Sequence, residues 1–228
     1  MLTYPENVTC LADNIEAVLT KHADKPAYTA LGQTLTFKEI DEKSAALARY
    51  FTHEAKLEAG DRIAIQLPNL IQNPIAVYAA LRAGLVVVNT NPLYTEREMK
   101  HQFTDSGATA LVILSDLLPK FDAIKSDTQI KTVVATSATE LLDAATAPTL
   151  TGTVSLTDAI NAGANLPAVV RPKTEFEALA MLQYTGGTTG VSKGAALSHK
   201  NVMSNSVQML DHLGGFFKEG EEVVVCPL

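Results

Sequence analysis

The amino-acid sequence predicts an α/β protein built on a largely parallel sheet flanked by helices. Three observations lead there. From Asp61 onward, short apolar runs alternate with segments of helical periodicity. Two of those runs, Leu85-Val-Val-Val88 and Ala110-Leu-Val-Ile-Leu114, lack polar alternation, as expected of strands covered on both faces. A third run, residues 178–183, leads straight into a Gly/Thr-rich stretch with one lysine.

Taken in order, Thr9 is positioned to cap a helix with Leu11, Ile15, Val18, Leu19 and His22 on one stripe, closed by Lys25-Pro26. His22 has no second His or Cys at ligand spacing and reads as a boundary residue. Residues 27–30 and 34–37 form a hairpin turning at 31–33. A second helix carries Phe37, Ile40, Leu47 and Phe51 in register and fades before Gly60. Residues 62–67 read as a strand closed by Pro68. Residues 70–82 read as a helix apolar nearly all round, hence deeply packed, with Gly84 as its stop. A strand follows at 85–88. Thr95-Glu-Arg-Glu98 is a capping box opening a helix that runs to Ser106-Gly107. Then come a strand at 110–114, a short helix at 117–124 despite Pro119, and a strand at 130–134. Residues 138–172 are looser, with one short helix at 156–162 on an otherwise irregular connection. Beyond the Gly/Thr stretch, residues 200–213 are helical and end at Gly214-Gly215. Residues 222–226 begin a new strand. A buried strand cut short is a poor natural terminus, so a truncated piece of a longer protein is expected.

The composition sets bounds. The 228 residues suffice for one or two domains and for burying about 70% of the unfolded surface. Net charge is −7 with no basic cluster, which argues against nucleic acid or an anionic membrane surface as the main partner. Two cysteines, Cys10 and Cys226, fit a reducing compartment and read as small buried thiols. Residues 1–5 have neither the basic start nor the apolar core of a signal peptide. The most apolar segment, residues 70–88, is broken by Gln72, Asn73, Pro74, Arg82 and Gly84, too often for a spanning helix. A cytoplasmic protein is expected.

The chemistry concentrates in Tyr184, Thr185, Gly186, Gly187, Thr188, Thr189, Gly190, Val191, Ser192, Lys193 and Gly194. Glycines let successive backbone N–H groups turn toward one anion. Threonine hydroxyls add donors and Lys193 adds a mobile positive charge. The stretch therefore reads as a phosphate-gripping loop, although turn chemistry alone also allows a flexible surface hairpin. It is not a Walker A loop, because Ser192 precedes and Gly194 follows Lys193. Gly190-Val-Ser-Lys-Gly194 does satisfy G-x-S-x-G. A nucleophile elbow, however, needs a helix after the serine and then a separate acid and histidine. Only the adjacent Asp211 and His212 follow, and these could hardly serve as separate triad arms.

The loop resembles the phosphate-binding signature of the adenylate-forming superfamily: acyl-CoA synthetases, luciferases and peptide-synthetase adenylation domains. That signature runs [ST]-[GS]-[GS]-[ST]-[TS]-G-x-P-K-G, against Thr185-Gly-Gly-Thr-Thr-Gly-Val-Ser-Lys-Gly194 here. The one departure is Ser192 for the common proline, which would only stiffen the loop. Gly60-Asp-Arg-Ile-Ala-Ile-Gln-Leu-Pro-Asn69, Leu81-Arg-Ala-Gly84, Asp105-Ser-Gly107 and Val88-Asn-Thr-Asn-Pro-Leu-Tyr94 look like the matching parts of bacterial long-chain fatty acid–CoA ligases. Read without the resemblance, Asn89–Tyr94 is an ordinary strand-to-helix turn.

The resemblance implies a two-step reaction. A fatty carboxylate attacks the α-phosphate of Mg2+-bound ATP, giving acyl-AMP and diphosphate, and the thiol of coenzyme A then displaces AMP. Donors and cations on the leaving phosphates lower the first barrier. Thr185, Thr188, Thr189, Lys193 and the loop N–H groups are the ones implied to hold the β- and γ-phosphates. The family's adenine, ribose, magnesium and catalytic-lysine elements find no match here, so the piece itself is expected to be inactive and to carry no metal ligand. The implied organisation is residues 1–58 as helices and a hairpin packing with a missing second subdomain, 59–215 as the α/β unit with the loop, and 216–228 as the truncated start of the second subdomain. Exposed apolar surface is then expected around Ile15, Leu19, Ile40 and Leu47, with a homodimer as one outcome. Peripheral association with the inner membrane belongs to the same implication. Medium-chain or aryl acids share the loop chemistry, and a stand-alone nucleotide- or phosphate-binding module is the alternative from another class.

Overall fold

The computed structural model describes residues 8–149, 152–171, 173–186, 191–214, 216 and 218–226. Seven strands form the main sheet in the order β7-β6-β5-β3-β4-β8-β9. They are β3 (Arg62–Gln66), β4 (Val86–Asn89), β5 (Ala108–Leu114), β6 (Thr132–Thr136), β7 (Val154–Ser155), β8 (Leu179–Thr185) and β9 (Lys193–Ser198). All neighbouring pairs are parallel except β8 with β9. Before the sheet, β1 (Pro26–Ala30) and β2 (Gln33–Thr36) form a hairpin. Its two-residue turn puts Leu31 and Gly32 at φ 51° and 81°, the paired left-handed geometry that matches strand twist.

Helices cover both faces, and the period of two along each strand decides which residues meet which layer. Ile63, Ile65, Val87 and Val112 point into a core shared with α1 (Leu11–Lys21), α2 (Phe37–His53), α3 (Gln72–Arg82) and α6 (Leu156–Ala164). Ala64, Val88, Leu111 and Ile113 point the other way, onto α4 (Glu96–Ser106) and α5 (Leu118–Asp122). A turn of 3-10 helix at Ser115–Leu117 precedes α5, so Pro119 falls in the first turn of the helix, where its missing N–H costs nothing. α7 (His199–Leu213) follows β9 and buries Met203 in the first core. Each fully buried aliphatic or aromatic side chain contributes about 1.5–3 kcal/mol. α4 has the bounds its capping box and Gly107 predict: Thr95 caps, Glu98 reciprocates, and Gly107 stops the helix at φ 65°.

Four expectations are corrected. Leu19, Ile40 and Leu47 are buried within the chain and Ile15 is half-buried, because α1 and α2 lie on α3 and α6 instead of facing outward. That removes the exposed faces on which pairing of two copies was expected. Residues 222–226 form no strand. Among the described residues no strand lies alongside to accept their backbone bonds, and Val223, Val224 and Val225 are exposed. Cys10 is buried as expected, but Cys226 lies on this same exposed segment. The first helix takes Cys10, not Thr9, as its cap residue. Thr9 instead joins Cys10 in donating to Asp13 Oδ2.

Two part-buried ionic links tie the helical layer together. Arg82 of α3 bonds the Asp41 side chain of α2 and donates to the Asp41 carbonyl at 3.3 Å. Arg171, in the connection to β8, bonds Asp13 and reaches Glu16 at 3.2 Å, both on α1. Among the described residues no helix is long and apolar enough to cross a membrane.

Candidate functional site

β4 lies on one side of β3 and β5 on the other. The helix after β3 packs on one face of the sheet and the helix after β4 packs on the opposite face. The chain therefore leaves these adjacent strands in opposite directions. A crevice opens beyond their carboxyl ends, the place where open α/β sheets take ligands. Here it is a cleft of about 1530 Å3. Its walls include Asn69 after β3, Asn91 and Tyr94 after β4, His101 on α4, and Gln183 and Gly186 at the end of β8.

The wall after β4 is held by side-chain amides. Gln66 Nε2 donates to the Asn91 carbonyl at 3.2 Å, and Gln102 Nε2 donates to the Asn89 carbonyl at 2.9 Å. The Asn91 side chain accepts from Leu93 N at 2.9 Å, closing an Asx turn before α4. Asn89 Nδ2 donates to Gln183 Oε1 at 3.0 Å, bridging β4 and β8 at the cleft floor. Residues 89–94 are the strand-to-helix turn that turn chemistry predicts, and they also line the cleft.

The Gly/Thr stretch joins the antiparallel strands β8 and β9, and its described flanks lie at the crevice. The strands reach further into it than composition suggests. Tyr184 and Thr185 end β8, while Lys193 and Gly194 begin β9, paired Tyr184 with Gly194 and Thr185 with Lys193. Tyr184, Gly186, Val191 and Ser192 line the cleft, and Thr185 and Lys193 are exposed at the hairpin's end. Gly187, Thr188, Thr189 and Gly190 lie outside the described residues. Ser192 runs into a strand, not a helix, and Asp211 and His212 sit at the far end of α7, so the nucleophile-elbow reading fails on geometry as well.

Two residues to which sequence reasoning gave no role at the loop, His101 and Asp105, brace this hairpin. Tyr184 Oη donates to Asp105 Oδ2 at 2.6 Å. Burial, and then the bond to the Asp105 carboxylate, push the Tyr184 phenol up, so it remains a protonated donor at neutral pH. His101 Nε2 donates to the Ser192 carbonyl at 2.8 Å, and its ring meets Tyr184 edge-on at 6.3 Å. Gly194 lies under the Tyr184 ring. A Cβ there would stand 2.9 Å from Tyr184 Cε2, so a side chain at 194 would displace the Tyr184 ring. Among the described residues no group of three or more His, Cys, Asp or Glu side chains is placed to hold a metal ion.

The comparisons with known proteins agree with this geometry. A model of the AMP-binding enzyme family matches residues 15–228. The long-chain-fatty-acid–CoA ligase of Salmonella typhimurium is 38% identical over 98% of this chain and 43% of its own. That of Haemophilus influenzae is 39% identical over 87% and 38%. Among solved structures, a long-chain-fatty-acid-CoA ligase from Archaeoglobus fulgidus superposes with a TM-score of 0.76 at 28% identity, covering 93% of this chain and 41% of that one. An anthranilate CoA ligase in complex with anthranoyl-AMP shares the fold, with a TM-score of 0.74 at 20% identity over 88% and 36%. The chain thus spans less than half the length of these relatives. With the family model matched over nearly its whole length, the chain belongs to the AMP-binding enzymes.

Proposed function

We propose that this chain is the N-terminal, phosphate-binding part of an AMP-forming long-chain fatty acid–CoA ligase, which joins a fatty acid to coenzyme A at the expense of ATP through an acyl-AMP. The observation that carries the reading is the placement of the flanks of the Gly/Thr stretch, Gly186 after β8 and Val191-Ser192 before β9, on the switch-point crevice. The ligase relatives support the reaction class and the fatty acid as substrate.

In this reading Lys193, with Thr185, Thr188, Thr189 and the loop N–H groups, takes the β- and γ-phosphates. Their work is charge management: an anionic carboxylate must approach an anionic phosphate, and donors fixed on the leaving diphosphate lower that cost. Lys193 supplies charge and moves no proton. Magnesium would arrive on the triphosphate oxygens. Glu98, the carboxylate on the cleft wall, is already engaged as the partner of the Thr95 cap. The described residues therefore do not build a cage for the ion, and no step is assigned to it. Coenzyme A enters as the second substrate through the family relation alone.

ATP–diphosphate exchange by the whole protein against a panel of acids tests the proposal. Long-chain fatty acids should support the fastest exchange, and Lys193→Ala should lower it by about 100-fold, the usual cost of removing one fixed transition-state donor. Exchange indifferent to Lys193→Ala would overturn the role given to that residue. Exchange with medium-chain or aryl acids only would overturn the substrate.

A further inference from the structure

We infer that α4 is a two-point clamp that holds both ends of the phosphate loop at a fixed distance from the cleft wall, with His101 and Asp105 as positioning residues. The inference rests on the ligase reading for what the loop binds, but the clamp itself is read from contacts on this chain. His101 and Asp105 are four residues apart on α4, so they project from one helical face. Asp105 holds Tyr184, the residue before Thr185, through the 2.6 Å phenol bond. His101 holds the Ser192 carbonyl, just before Lys193, at 2.8 Å. A carbonyl only accepts, so Nε2 of His101 carries the proton of that bond. The Tyr184 ring then covers Gly194, just after Lys193, so closely that a side chain there would displace it.

Lys193 is thereby bracketed. The residue before it is tied to α4 directly, and the residue after it is tied through Tyr184. Neither bond is needed to form the hairpin, whose strands are already paired over six register positions. What the bonds add is a fixed distance between the hairpin and α4, whose N-terminal half lines the same cleft through Arg97, Glu98 and His101. A loop that must present several donors to one polyphosphate gains from such bracing, because each donor not already in place is ordered at the expense of binding. Asp105 is exposed, so its bond works within a solvent-screened setting, and the expected effects are moderate.

The test uses His101→Ala, Asp105→Ala and His101→Gln, the last keeping an N–H donor for the Ser192 carbonyl. In the absence of nucleotide, amide hydrogen exchange of residues 192–195 should speed up about tenfold in both alanine variants, while amides of β3 and β5 keep their protection. In ATP–diphosphate exchange the same variants should raise the KM for ATP several-fold with a smaller change in kcat, and His101→Gln should restore both readouts. Unchanged hydrogen exchange in the alanine variants would overturn the clamp. Faster hydrogen exchange with an unchanged KM for ATP would overturn its positioning role. If the unsubstituted protein shows no ATP–diphosphate exchange, the ligase reading fails on its own, and the hydrogen-exchange arm still decides the clamp.

Discussion

One face of the seven-stranded sheet carries α1, α2, α3 and α6 with Met203 of α7, while among the described residues the other carries α4 and α5. The first face is thick, almost wholly apolar at its centre, and stapled by Arg82 and Arg171. The second is thin, and its principal helix also braces the candidate site. Both faces bury large side chains completely, among them Leu47 on the first and Phe103 on the second. The difference therefore lies less in how well each is packed than in what each is connected to. A helix that both seals a core and holds a loop passes any loss of packing on to the site. A helix that only seals a core does not.

Truncating one anchor on each face is the strongest way to break this comparison. Phe103→Ala removes a wholly buried ring that packs edge-on against Phe121 at 6.2 Å, and it should destabilise the fold by about 4 kcal/mol. It should also speed hydrogen exchange at residues 192–195, because α4 loses its seat on the sheet. Leu47→Ala should cost about 3 kcal/mol in urea unfolding yet leave exchange at those amides unchanged under native conditions. Equal loosening of the hairpin in both variants would show that the two faces are not separable.

A substitution that adds volume sharpens the description of the thick face. α6 crosses α2 so closely at Gly163 that a Cβ there would lie 1.9 Å from the Ala46 carbonyl oxygen. The Gly163 carbonyl in turn accepts from Arg49 Nε at 2.8 Å. Gly163→Ala must push the helices apart, at a cost of about 2 kcal/mol. A variant as stable as the parent would mean that α6 slides freely and is no rigid part of this face.

Much of the fold was legible because it depends on local pattern. Unbroken apolar runs mark β3, β4 and β5, and the Thr95 box with Gly107 marks both ends of α4. What was not legible depends on neighbours. The amphipathic stripe of α2 holds and that of α1 holds except at Val18, which is exposed, but a stripe does not say which surface covers it, and the layer of α3 and α6 does so here. Val223-Val-Val225 has the composition of a buried strand and remains exposed, since a strand also needs an adjacent strand. β9 is made largely of small residues, and β7 is only two residues long, so neither stands out by hydropathy. The Gly/Thr loop declares itself by composition. Its braces do not: His101 lies 91 residues from Ser192 and Asp105 lies 79 from Tyr184, and in sequence both resemble the solvated face of a helix.

The smallest expected effect concerns the seam where the thick face meets the strand pair that bears the loop. His199 opens α7 directly after β9 and is buried. Its Nδ1 accepts from Leu11 N, at the start of α1, at 3.2 Å. Burial, and then the nearby Arg171 charge, hold the imidazole below its ordinary pKa of 6.5, while Asp13 works against them. The unfolded chain therefore binds a proton that the folded chain refuses, and unfolding takes up that proton. Stability from this group is complete above about pH 6.5 and declines as pH falls toward the lowered folded value. Asp13 stays ionised over that window. Although burial pushes its carboxyl up, the bonds from Thr9 and the Arg171 charge outweigh it and keep it below the usual range. Urea midpoints at several pH values between 7.5 and 5 should therefore fall as the solution is acidified. His199→Gln, which can still accept from Leu11 N but has no proton to gain, should flatten the decline. An equally steep decline in that variant would place the acid-sensitive group elsewhere and leave the seam between α1 and α7 without a role in it.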